Sequence, residues 1–164
     1  FGPASPANTP YPLLDLSDGT SIATYYSPDD NARAAVLKQL RAAEHEIVFL
    51  AFAFTDDDMA RILLEKARDG VQVRGVFETR NADNEFCEYN VLKKAGLDVR
   101  LDGNPRTMHH KVFVIDGQVT ITGSYNFSAN AEKRNDENTL IIHNADIAAL
   151  FRQEFQRVLS QANP

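Results

Sequence analysis

The run Glu46 to Phe54, EIVFLAFAF, constrains the fold of this chain more than any other feature. It is strand-sized and nearly continuous in apolar residues, the pattern of a strand buried on both faces. Such a strand needs covering layers above and below. Val71 to Phe77 is a second run of the same kind. Between the two, Thr55-Asp56-Asp57-Asp58 opens a helix that runs to about Arg68 and is stopped by Gly70. Acidic residues in a first turn complement the helix dipole, so the three aspartates read as capping in preference to a metal site. Upstream, Ser21 to Tyr26 predicts a strand, followed by a helix to about Ala43 that Ser27 or Asp29 would cap, with Pro28 in its first turn. Glu85 to Ala95 reads as a helix ended by Gly96, and Leu97 to Leu101 as a strand. Strands alternating with helices imply an α/β layer fold.

Beyond Leu101 the pattern changes. Lys111 to Ile115 and Gln118 to Thr122 are strand-like and meet at Asp116-Gly117, a hairpin signal. Thr139 to Ile142 predicts a further strand and Ile147 to Leu159 an amphipathic helix. The expected architecture is therefore α/β, a mixed β-sheet flanked by helices on both faces. At 164 residues and 43% hydrophobic content, one domain is expected, over residues 21–164. Residues 1–20 open with FGPASPANTPYP and read as a linker to an upstream domain or a processed terminus, the latter suiting a secreted or periplasmic protein. No apolar stretch approaches the ~20 residues of a membrane-spanning helix, so a soluble chain is expected. Cys87 is the only cysteine, which excludes an internal disulfide and a Cys-pair redox motif. The net charge of −6 argues against a broad electrostatic grip on a polyanion. From Val71 to Arg134, however, nine Lys or Arg face eight Asp or Glu, so any anion-binding surface should be local.

The stretch richest in chemistry is Met108-His109-His110-Lys111 through Asp116-Gly117, then Gly123-Ser124-Tyr125-Asn126, then Asn135-Asp136-Glu137-Asn138. Residues two apart on a strand share a face, so His109 and Lys111 should project together and His110 away from them. A nucleophile or proton carrier beside a fixed cation suits phosphate chemistry. Asp116 has the opposite parity at the turn, where it would organise the hairpin or support the site. Ser124 and Asn126 offer donors to phosphoryl oxygens. Glu137 is placed to accept a hydrogen bond from His109 and orient its ring, with Asp136 and Glu132 as neighbouring candidates. Arg106, Lys133 and Arg134 flank the segment and read either as a groove for a polyanion or as solvated surface.

His109-x-Lys111-x4-Asp116 followed by Gly123-Ser124-x-Asn126, with Glu137-Asn138 downstream, resembles the signature of the phospholipase D superfamily. The likeness extends upstream through Tyr25-Tyr26-Ser27-Pro28, the Phe52 to Thr55 strand end and Gly70-Val71-Gln72-Val73-Arg74, covering about Ser21 to Leu159. It implies a phospholipase D/nuclease-like half-domain that works without metal or cofactor. One His109 would attack phosphorus to form a phosphohistidine, and a second would protonate the leaving oxygen and then activate water. Lys111 and Asn126 would bind the non-bridging oxygens. The family uses two such motifs per site and this chain has one, which implies a homodimer with a composite site, as in a small bacterial endonuclease of the family. A nuclease is therefore expected first. A phospholipase or phosphatidyl-transferring enzyme and a non-catalytic phosphate-binding module are the alternatives.

Overall fold

The computed structural model describes residues 9, 10 and 12–163. Its elements follow the chain as β1 (Leu13–Asp15), β2 (Ser21–Ser27), α1 (Ala32–Ala42), β3 (Glu46–Ala51), α2 (Asp57–Arg68), β4 (Gln72–Phe77), α3 (Thr79–Ala82), α4 (Tyr89–Lys94), β5 (Asp98–Leu101), β6 (Lys111–Ile115), β7 (Val119–Gly123), α5 (Ala129–Lys133), β8 (Glu137–His143) and α6 (Ala145–Leu159). One eight-stranded sheet runs in the order β1-β2-β8-β7-β6-β3-β4-β5. β3, β4 and β5 are parallel, and every other neighbouring pair is antiparallel. The mixed α/β sheet expected from the change of pattern after Leu101 is what forms.

Helices cover both faces. Ile47, Phe49, Phe113, Ile115, Ile121 and Ile141 point into a core shared with α1 and α2, while Val48, Leu50, Val112 and Val114 face α6. Phe49, Phe54, Phe77, Phe113 and Phe127 form one aromatic cluster with centroids 4.4 to 6.3 Å apart. The ring of Phe49 lies over Gly75, where a Cβ would meet its Cζ at 2.0 Å. Only glycine fits that approach.

Three local expectations are corrected. Within the segment taken as a linker, Leu13–Asp15 pair with β2, because a turn closes at Leu16–Thr20: Leu16 N donates to Thr20 O at 2.8 Å and Gly19 has φ +87°. Residues 1–8 and 11 lie outside the described residues. The first helix begins at Ala32 with neither Ser27 nor Asp29 as its cap, since the Asp30 carboxylate accepts from Tyr26 N at 2.9 Å and holds residues 27–30 as a turn. Arg33 N instead donates to Glu132 of α5 at 3.0 Å. The helix expected over 85–95 is cut to Tyr89–Lys94, because Asn84 takes Phe86 N and Cys87 N into a turn and Glu88 N bonds Phe54 O.

Glu88 is buried there beside Asp57. Burial, then the bond and charge of Asp57 and the charge of Asp56, push its carboxyl up to about 7. A carboxyl raised above its unfolded pKa of about 4.3 contributes stability below that value, and the contribution is lost as pH rises through about 7. Wild-type protein should therefore lose more Tm between pH 5 and pH 8 than Glu88→Gln, which a pair of thermal melts would read. An identical pH dependence in the variant would contradict this.

Candidate active site

The strand directions bring one set of ends to a single edge of the sheet. Ala51 pairs with Lys111, Gly123 with Thr139 and Ser27 with Glu137, so the ends of β2, β3 and β7 meet the starts of β6 and β8. Just beyond this edge stands His109, exposed, in the two residues before β6. Phe52 N donates to His110 O at 2.8 Å and continues the β3–β6 ladder past the strand ends.

Lys111 is buried, 5% exposed, and its Nζ lies 3.2 Å from His109 Nδ1, 3.3 Å from Nε2 and 2.9 Å from His109 O. Phe52 completes the group. Its ring centroid is 4.3 Å from that of His109 and 4.7 Å from Lys111 Nζ, a cation–π contact. Burial lowers the Lys111 ammonium below the usual lysine range, and the charge of Glu137 opposes the shift. His109 and Lys111 share a face, as strand parity requires. His110 points to the other side, where Nε2 lies 3.2 Å from Glu154 of α6.

The remaining predicted residues divide. Asn126 is half-buried in the loop after β7, and its buried Oδ1 has no hydrogen-bond partner among the described residues, so its side-chain amide is not committed to the fold as the Ser124 hydroxyl is. That hydroxyl donates to Glu137 and accepts from Asn138 N at 3.0 Å, so the proton expected for a phosphoryl oxygen is already given away. The loop can double back because Gly123 has φ +150° and lies so close to Asn138 that a Cβ would meet its carbonyl oxygen at 2.1 Å.

Glu137 does not bond His109 within the chain. β7 separates its strand from β6, and its carboxylate is taken by Ser124 Oγ and by Asn135 Nδ2 at 3.0 Å. Of its neighbours, Asp136 is exposed and Glu132 is engaged by Arg33 N and Tyr125. Among the described residues, the His109 ring makes an aromatic contact with Phe52 and polar contacts with Lys111. Arg106 and Arg134 are exposed on the flanking loops, and among the described residues neither side chain bonds the site.

Of the two roles expected for Asp116, organising the hairpin and supporting the site, the structure shows the first. It sits at the far end of β6, roughly 17 Å from Lys111 at ~3.3 Å per strand residue. Its carboxylate accepts from Glu44 N at 2.9 Å and from His45 N and Glu46 N at 2.8 Å, tying the β6–β7 turn to the start of β3. Burial opposes ionisation of this carboxyl, yet the three N–H groups outweigh it and hold the group below its ordinary value. Asp116→Ala should destabilise the fold by about 2–3 kcal/mol in urea titration. Turnover per folded molecule should be unchanged, and a loss of kcat at full folding would show that Asp116 supports the chemistry as well as the turn. Because its folded pKa is depressed, its contribution is present above the unfolded value and lost as pH falls through the folded one.

Sequence reading missed three contributors. Phe52 was legible only as the end of a strand, and its ring contacts depend on how β3 overruns into the edge. Glu78 accepts from Met108 N at 2.6 Å, and Arg80 reaches Thr107 and, at 3.2 Å, Pro105 O. Their partners lie about thirty residues away in sequence, beyond any local pattern.

Residues 36–159 match a family model described as cardiolipin synthase, PLD-like domain. The chain is 32% identical over 145 residues to a phospholipase D of Rickettsia conorii, covering 88% of this chain and 72% of that protein. It is 35% identical over 152 residues to the mitochondrial cardiolipin hydrolase of Homo sapiens, covering 93% of this chain and 60% of the relative. In three dimensions it superposes on Nuc from Salmonella typhimurium, a phospholipase D family member, with a TM-score of 0.82 and 30% identity, covering 88% of this chain and 97% of the other.

Proposed function

The chain belongs to the phospholipase D superfamily of phosphodiesterases, and from that premise we propose that it is a nuclease whose site is completed by a second copy of itself. The rim of the site carries this reading. Residues 102–107, which lead to His109, are Asp-Gly-Asn-Pro-Arg-Thr, and the exposed large apolar side chains of the described residues, Leu13, Leu14, Leu16, Phe86, Val91 and Leu150, all lie outside this loop and outside 124–138. A polar rim with Arg80 and Arg106 suits a polyanion in water better than a lipid interface, which rewards inserted apolar side chains.

In the proposed reaction an imidazole nitrogen of His109 attacks phosphorus and the bond to the leaving oxygen breaks. His109 of the second copy protonates that oxygen. It then takes a proton from water, whose oxygen attacks phosphorus, breaks the P–N bond and releases a phosphomonoester with both histidines restored. Lys111 and Asn126 hold the non-bridging oxygens and offset the charge that builds on them. Each chain supplies one His109, so two copies related by a two-fold axis are needed, and no metal enters any step.

A phospholipid substrate is the alternative, favoured by the names phospholipase D and cardiolipin hydrolase that relatives carry. Incubation with single-stranded DNA, duplex DNA, RNA, and vesicles of phosphatidylcholine or cardiolipin, all in excess chelator, separates the two. Nucleic-acid cleavage alone is expected. Headgroup release without it would overturn the nuclease in favour of the lipase, and inactivity towards all five would leave a phosphate-binding module.

A further inference from the structure

We propose that Glu78 is a positioning residue for His109, holding the catalytic loop through the backbone of Met108. The proposal rests on His109 being the reacting group of a phosphodiesterase, whichever phosphodiester is the natural one.

Glu78 follows β4 and extends it, its N–H donating to Ala51 O at 3.0 Å. Its side chain turns inward and is 3% exposed. One carboxylate oxygen accepts from Met108 N at 2.6 Å and the other from Arg80 N at 3.2 Å. Met108 is itself 4% exposed and packed in the α6-side core, and its N–H–Glu78 bond is buried. A buried N–H without an acceptor is costly, and a charged acceptor makes the bond short and strong. The next residue along the chain is His109.

The same corner holds the rest of the loop. Asp102 N donates to Phe77 O at 2.9 Å and Thr79 Oγ1 to Asp102 O, which fixes where the loop begins. Arg80 staples Thr107 and Pro105 from outside. Asn81 Nδ2 donates to Phe52 O at 2.6 Å, anchoring the residue whose ring lies against His109. Glu78 and Asn81 thus hold the backbone beside His109 and the backbone of Phe52, whose ring contacts the imidazole. Residues 102–110 belong to no strand, and the β3–β6 ladder reaches only as far as the Phe52 N–His110 O bond, so on the Met108 side of His109 it is the Glu78 carboxylate that holds the backbone. Displacing a reacting group by about 1 Å costs on the order of 10²-fold in rate.

The test uses bis(p-nitrophenyl) phosphate, a chromogenic phosphodiester that is neither nucleic acid nor lipid, together with the His109 ring-proton resonances. Glu78→Ala should lower kcat about 100-fold with KM within about threefold, and the His109 ring protons should lose the ring-current shift that Phe52 imposes. Glu78→Gln keeps one acceptor for two donors and should fall between the variant and wild type on both readouts. Near-normal kcat in Glu78→Ala, or lost kcat with the His109 resonances unmoved, would overturn the proposal. Should Glu78→Ala fail to fold, the isosteric Glu78→Gln decides it, wild-type kcat and resonances being the contrary result. Wild-type inactivity on this probe would count against the phosphodiesterase chemistry, while the resonances would still test the positioning.

Discussion

His109→Ala should reduce turnover by about 10⁴-fold or more while leaving the thermal midpoint nearly unchanged. The two halves of that expectation rest on different observations. In the proposed mechanism, one substitution removes the nucleophile from one half of a composite site and the proton donor from the other, so neither step has a substitute. Structurally, His109 is exposed and precedes β6, and the ring and hydrogen-bond contacts of its imidazole among the described residues are to Phe52 and Lys111. Substitutions at such positions shift stability by about 0.5 kcal/mol or less. Comparison of single-turnover rates and thermal melts for the two proteins checks both. A variant that retained activity within tenfold would remove His109 from the mechanism.

Lys111→Met should cost about 10²–10³-fold in kcat, the usual effect of removing one positioned group that stabilises transition-state charge. Its stability should hold or rise, which is unusual for a buried position. The Lys111 ammonium is out of water and depressed in pKa by that burial, with Glu137 as the opposing influence. An apolar side chain of similar length incurs no such desolvation cost. The same depression predicts the alkaline limb of the rate profile: activity needs the protonated ammonium, so it should fall at a lower pH than the ordinary lysine value of about 10.4 would give. An equal loss of Tm and activity in Lys111→Met would recast Lys111 as a structural cation.

Much of this site could be read before any coordinates. The parity of His109, His110 and Lys111 follows from the strand repeat, and Asp116-Gly117 marks the hairpin that fixes where that strand ends. The apolar runs around Phe49 and Val76 required two covering layers, and two formed. What escaped was long-range. Whether the Ser124 hydroxyl is free depends on where β8 places Glu137, and the strand order that decides this is set by the whole sheet. The Glu78–Met108 bond and the Phe52 ring contact join segments that no local pattern connects. β1 escaped because two leucines beside prolines carry too weak a strand signal, and only the turn at Gly19 pairs them with β2. The long helix over 85–95 failed because Asn84 offers its side chain and carbonyl to the backbone and stops propagation there.

The chain carries one His109 and one Lys111, and the proposed mechanism requires two of each at one phosphorus. Light scattering at the concentration used for assay, with activity followed through dilution, tests that requirement most directly. The expected result is a dimer whose specific activity falls as the population becomes monomeric. A monomer with full specific activity throughout would contradict the composite site.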